Sequence, residues 1–124
     1  MSAEIVNVLM NLYDQVKIYH WQTMHFPRHE AAGKLIDSLD DLIDTFVETY
    51  MGKYGRPKLT TKTGTIHIRN FHDKQAPALL KEAIDWMTHD LPKKLKKEDT
   101  DLLNIRDEIV GVLNKTLYLF TLSG

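Results

Sequence analysis

The chain has 124 residues, with 16 Lys and Arg against 17 Asp and Glu and a formal net charge of −1. This length supports one domain, residues 1–124, and the balanced charge gives no sign that nucleic acid or an anionic membrane is the partner. There is no cysteine, which excludes disulfide and thiolate chemistry.

The first half of the chain predicts two amphipathic helices, because apolar residues recur at three- and four-residue steps. The first helix should run from about Ala3 to about Trp21, with Ser2 as its N-cap. Pro27 suits the first position of the second helix, where a missing N–H costs nothing. Three helix-breaking residues should end that helix: Gly52, Gly55 and Pro57.

The second half predicts an irregular connection and two further helices. Residues 56–73 form the connection, in which only the stretch around Ile66 to Ile68 could be a short strand. Three apolar side chains should pack the connection against the helices: Ile66, Ile68 and Phe71. The third helix opens at Pro77 and stops or kinks at Pro92, and the fourth is capped by Thr100.

The apolar positions of the third and fourth helices continue the helical period. Those of the third are Leu80, Ala83, Ile84, Met87 and Leu91. Those of the fourth are Leu102, Ile105, Ile109, Val112, Leu113, Thr116 and Phe120. Four such helices indicate an all-α four-helix bundle.

The second helix carries an acidic stripe opposite its apolar face. At about 100° per residue, Asp44 and Glu48 lie on the side away from Leu39, one helical turn apart. Such a stripe is either a solvated polar face or an interface with another subunit.

Histidines near the start of this helix fit the second interpretation. His29 precedes Asp44 by 15 positions, about 22 Å along one helix, so one chain cannot bring both to a metal ion. In a two-fold dimer, antiparallel copies of the helix could pair His29 with Asp44, and the same register pairs His25 with Glu48. Imidazole and carboxylate would then hold a first-row metal jointly.

These residues resemble a known signature: His20-Trp21, Phe26, His29-Glu30, Asp44, Glu48, Gly52 and Pro57. The set is similar to the ferroxidase signature of the Dps proteins, or miniferritins. The resemblance implies a ferritin-like fold and an iron site in which one subunit supplies His20 and His29 and its two-fold mate supplies Asp44 and Glu48. The chain departs from the family in a shorter spacing between the histidines and in Thr49, where the family has arginine.

A second resemblance covers most of the chain. The stretches HWQT, LIDSLDDLID, FVETYMGKYGRP, LLNIRDEIV and TLYLFTL are similar to an uncharacterised family of small helical proteins. Members of that family occur in bacteriophages and in large DNA viruses of algae and amoebae. The resemblance implies a viral origin and a ferritin-like fold, and it carries no established activity.

Two functional hypotheses follow. In the first, a homo-oligomer binds Fe(II) at a two-fold interface and oxidises it with peroxide or oxygen, and zinc or manganese could take the place of iron. In the second, the protein is a non-enzymatic viral helical bundle that acts as an accessory or interaction protein without a metal site. Neither implies nucleic acid as a partner, because the chain has no excess of positive charge. Neither implies a membrane, because the apolar runs are shorter than the roughly 20 residues that cross a bilayer. A cytoplasmic location, in the host cell if the origin is viral, is expected.

Overall fold

The protein is described by a computed structural model that covers residues 3–123, so the predicted N-cap Ser2 lies outside the described residues. Four α-helices make up the fold: α1 (Ala3–Gln22), α2 (Phe26–Tyr54), α3 (Ala76–Asp85) and α4 (Thr100–Leu119). A π-helical turn, Trp86–Asp90, and a 3-10 turn, Leu91–Lys94, continue α3. Residues 3–123 contain no strand. The predicted all-α four-helix bundle is confirmed.

Each helix packs against two others, in the order α1, α2, α4, α3 and back to α1. The rings of Tyr19 and Phe120 lie 5.6 Å apart, so the carboxyl ends of α1 and α4 meet at one end of the bundle. At the other end, Lys53 of α2 pairs with Asp101 of α4. Helix α2 is therefore antiparallel to α1 and α4, and residues 55–75 cross the length of the bundle to reach α3. One long crossover is also the connectivity of ferritin-like bundles.

The core lies between the four helices and consists of aliphatic and aromatic side chains. Its largest fully buried members are Tyr19, Phe46, Ile5, Leu9, Leu35, Leu39, Leu80, Met87, Leu91, Leu102, Ile109 and Leu113. Among the predicted core positions, Ala83, Ile84 and Val112 are only partly buried. The prediction that Ile68 packs against the helices is wrong, because its side chain is 54% exposed.

Proline and glycine shape the helix ends. Pro92 has no N–H and cannot donate an α-helical hydrogen bond. The α-helix is followed by a π turn, in which the Leu91 N–H bonds to Trp86 O, and then by the 3-10 turn that contains Pro92. Helix α2 ends at Tyr54 and is capped by Gly55, whose φ of 84° is a conformation that favours glycine. The prediction that Gly52 helps to end the helix is wrong, because α2 continues through it. The N-cap of α4 is Asp99 rather than the predicted Thr100, and the Asp99 carboxylate accepts a hydrogen bond from the Lys96 N–H.

The crossover is held on α1 by side-chain amides. We call residues 63–71 the strap. Amides of α1 bind the main chain of alternating strap residues: Asn7 binds Thr63 and Thr65, Asn11 binds His67, Gln15 binds Arg69, and Gln22 binds Phe71. One helical turn of four residues rises about 6 Å and two extended residues span about 6.6 Å, so the two repeats match. The strap is therefore parallel to α1 and is extended from Thr65 onward, whereas Thr63 and Gly64 belong to the turn before it.

Candidate metal centre

His20, near the end of α1, and His29, in the first turn of α2, form a closed pair. Their ring centroids are 3.9 Å apart and their planes differ by 13°. His20 Nδ1 lies 2.8 Å from the main-chain oxygen of His29, and His29 Nδ1 lies 2.7 Å from that of His20. Because a carbonyl oxygen only accepts, each Nδ1 carries the hydrogen. In the neutral rings, both Nε2 atoms keep a lone pair.

Gly33 on α2 makes room for this pair. A Cβ at this position would lie 3.1 Å from His20 Cε1, closer than an ordinary contact. The absence of a side chain lets the His20 ring lie against α2, one turn after His29. The two half-buried histidines face an open groove between α1 and α2, whose walls include Lys17, Trp21 and Asp37.

Asp44 and Glu48 are far from the histidine pair in the same chain. Both are exposed on α2, and no ion pair or hydrogen bond within residues 3–123 involves either carboxylate. Along the helix, Asp44 is about 22 Å from His29. The described residues contain no group of three His, Asp or Glu that could hold a metal ion. One chain thus brings together half of the predicted ligand set.

Comparison with known proteins places the chain in a family. Residues 20–120 match the model of a family described as a family of unknown function, DUF5856. The protein belongs to the DUF5856 family. A search of the curated proteins and a search of the solved structures each found no match. The expected membership of an uncharacterised family is confirmed, and all four predicted ligands lie within the matched region. The resemblance to Dps proteins stays a prediction.

In this DUF5856 protein, a polar network fixes the turn between α1 and α2. Asp73, at the end of the crossover, accepts hydrogen bonds from the hydroxyl groups of Tyr19, at 2.7 Å, and Thr23, at 2.6 Å. Arg28 of α2 donates to the Tyr19 hydroxyl oxygen and to the main-chain oxygen of Asp73. Burial alone would raise the pKa of Asp73, but the hydrogen bonds from Thr23 and Tyr19, together with the nearby charges of His25 and Arg28, outweigh it, and the pKa is lowered. The network thereby fixes the approach of α1 to α2.

Two other histidines each lie beside a carboxylate. His25, which the two-fold register pairs with Glu48, lies 3.4 Å from the Asp73 carboxylate within its own chain. His89 lies 2.9 Å from the Asp85 carboxylate, and both side chains are exposed. Asp73 is 48 positions after His25, and sequence reasoning missed it because no local pattern links positions so distant.

None of the helices in residues 3–123 is long and apolar enough to cross a membrane.

Proposed function

We propose that the protein binds Fe(II) at a two-fold interface, with His20 and His29 of one subunit and Asp44 and Glu48 of the other as ligands. One observation carries the proposal: each Nδ1 donates to a main-chain carbonyl, which leaves both Nε2 atoms free. Histidines that bind metals almost always donate their other ring N–H in this manner, since the bond fixes the tautomer and the ring orientation.

The partner subunit is required by the charges as well as by the distances. Two neutral imidazoles bring no negative charge to a divalent ion, whereas Asp44 and Glu48 have no cationic partner within the described chain. An antiparallel α2 of a second subunit would bring these carboxylates to the histidines and would complete a set of nitrogen and oxygen ligands suited to iron, zinc or manganese.

The ring geometry favours two ions over one. The lone pair of Nε2 lies in the ring plane, and the two planes are only 13° from parallel, so the lone pairs do not converge on one point. We infer that each imidazole holds its own ion and that the partner's carboxylates bridge them. Fe(II) is then the substrate, and it supplies the electrons that reduce peroxide or oxygen.

Native mass spectrometry before and after anaerobic addition of Fe(II) tests this function, because one spectrum reports subunit number and bound ions. We expect an even-numbered oligomer that gains one or two irons per subunit. His29→Ala should lower the uptake, and its combination with His20→Ala should abolish it. His72→Ala, which removes an exposed histidine outside the pair, should leave the uptake unchanged. A monomer, or equal uptake by both variants, would contradict the proposal.

A second candidate function is a non-enzymatic interaction role. It is favoured by the apolar side chains exposed at the turn between α1 and α2, where Trp21 is 65%, Met24 91% and Phe26 69% exposed. Exposed apolar clusters of this kind are typical of protein interaction sites. The same mass spectrum separates the two functions, since this one requires no ion.

A further inference from the structure

Along the edge of the strap that faces α1, main-chain groups have hydrogen-bond partners. In an extended chain, the N–H and C=O of one residue point to the same side, and those of the next residue point to the opposite side. His67 and Arg69 direct their N–H groups at α1, where Asn11 and Gln15 accept them at 3.0 and 3.1 Å. Gln15 also donates to the Arg69 oxygen at 2.8 Å, so its amide pairs with Arg69 as a neighbouring strand would.

The other edge of the strap is free. The main-chain groups of Ile66 and Ile68 point away from α1, and no hydrogen bond within residues 3–123 reaches them. The sequence here, TIHIRNF, is rich in β-branched residues, which favour strands. A β-branched segment with a free edge is a template for one more strand.

The positive charge of the crossover indicates which kind of segment could pair with this edge. Residues 56–70 contain four Lys and Arg, all exposed, and no Asp or Glu. No ion pair within residues 3–123 involves any of the four: Arg56, Lys58, Lys62 and Arg69. Pairing with the strap of a second copy would bring two such cationic segments together, and like charges oppose that. An acidic segment would be attracted.

We propose that the outer edge of the strap, at Ile66 and Ile68, binds an extended acidic peptide of a partner protein by strand addition. The main-chain groups supply the hydrogen bonds, and the four cationic side chains select the acidic sequence. The site is separate from the histidine pair, since Gln15 and His20 are about 140° apart around α1.

The experiment uses the full chain and a short peptide of alternating valine and glutamate as the probe. Ile68→Pro removes the outward N–H and none of the bonds to α1, because His67 and Arg69 keep theirs and proline tolerates an extended preceding residue. Ile68→Val keeps the N–H and is the matched control. Binding is followed by titration in NMR spectra, which also report that each variant is folded.

We expect the parent and Ile68→Val to bind the peptide and Ile68→Pro to bind it about tenfold more weakly, the loss that one hydrogen bond of average strength produces. Replacement of glutamate by lysine in the peptide should abolish binding. Equal binding by Ile68→Pro would show a charge attraction without strand addition and would overturn the proposal. Absence of binding to the parent, or binding of a short oligonucleotide in place of the peptide, would overturn it as well.

Discussion

His20 and His29 hold each other through their main chains: each Nδ1 donates to the carbonyl oxygen of the other residue, and the rings stack at 3.9 Å. This arrangement fixes the tautomer and the orientation of both rings before any ion arrives. A preorganised pair of ligands loses little conformational entropy on binding, which supports affinity. The pair also joins α1 to α2 at their connecting turn.

Gly33→Ala should test whether the His20 ring lies against α2 at this position. Alanine favours a helix over glycine by about 0.5–1 kcal/mol, but at this position its Cβ would lie 3.1 Å from His20 Cε1. We expect little gain in the free energy of unfolding and weaker Fe(II) uptake. The control is Gly111→Ala, where nothing lies within 4 Å, and it should gain the full amount. Equal stabilisation by both variants in urea denaturation would show that His20 is not held against Gly33.

Leu39→Ala should destabilise the bundle strongly. Leu39 is fully buried at the centre of the apolar face of α2, and truncation of such a side chain costs about 2–5 kcal/mol through lost burial and the cavity left behind. Leu122→Ala, at a side chain 47% exposed, should cost about 1 kcal/mol or less. Urea denaturation measures both. Similar losses from the two variants would contradict the placement of the core.

Because of Asp99, the free energy of unfolding should depend on pH in the acidic range. Hydrogen bonds from Lys53, then from Tyr54 and from the main chain of Lys96, lower the pKa of this carboxyl to about 2 from its ordinary 3.8. Because the folded pKa is the lower one, the stabilisation is fully present above about pH 4 and is lost as the pH falls from about 4 to about 2.

Asp99→Asn should therefore be less stable than the parent at neutral pH and should lose less stability over that acidic range. Urea midpoints at several pH values measure the difference. Asp41→Asn, at an exposed position on α2, is the control and should follow the parent. A parallel pH dependence of Asp99→Asn and the parent would contradict the role of Asp99.

Gln15→Leu should release the strap. Gln15 is buried, and both ends of its amide bond to the main chain of Arg69. Leucine would leave that N–H and C=O without partners, which costs about 1–3 kcal/mol. We expect faster hydrogen exchange at the Arg69 amide and faster tryptic cleavage after Lys62. Asn104→Ala, on the exposed side of α4, serves as the control. Unchanged exchange at Arg69 would show that the amide is not what holds the strap.

The helical fold could be predicted from the sequence because apolar periodicity is a local signal. Pro27 and Gly55 mark the two ends of α2 because proline suits the first turn of a helix and glycine suits the conformation that follows its last turn. The error at Ile68 has a physical cause: alternation of apolar residues predicts which side chains share a face, but not whether that face is covered. In the extended strap, Ile66 and Ile68 share a face, and on that face the Ile68 side chain is 54% exposed.

The candidate site was predictable in part. The positions of His20 and His29 on either side of a short turn predict that they lie near each other. Their stacking and reciprocal hydrogen bonds depend on main-chain geometry that no residue pattern encodes. Asp73, which bonds to the turn, comes from the far end of the crossover. The contribution of Asp44 and Glu48 to a metal site stays a prediction, as do iron and the viral origin.

Native mass spectrometry of hybrid dimers tests the shared site most directly. One variant lacks the histidines (His20→Ala with His29→Ala) and the other lacks the carboxylates (Asp44→Ala with Glu48→Ala). Neither homodimer should bind iron. In the hybrid, one interface site has lost all four ligands and the other has kept them, so the hybrid should bind half of the iron of the parent dimer. A hybrid that binds none, or a carboxylate variant that binds as much as the parent, would contradict a site built from two subunits.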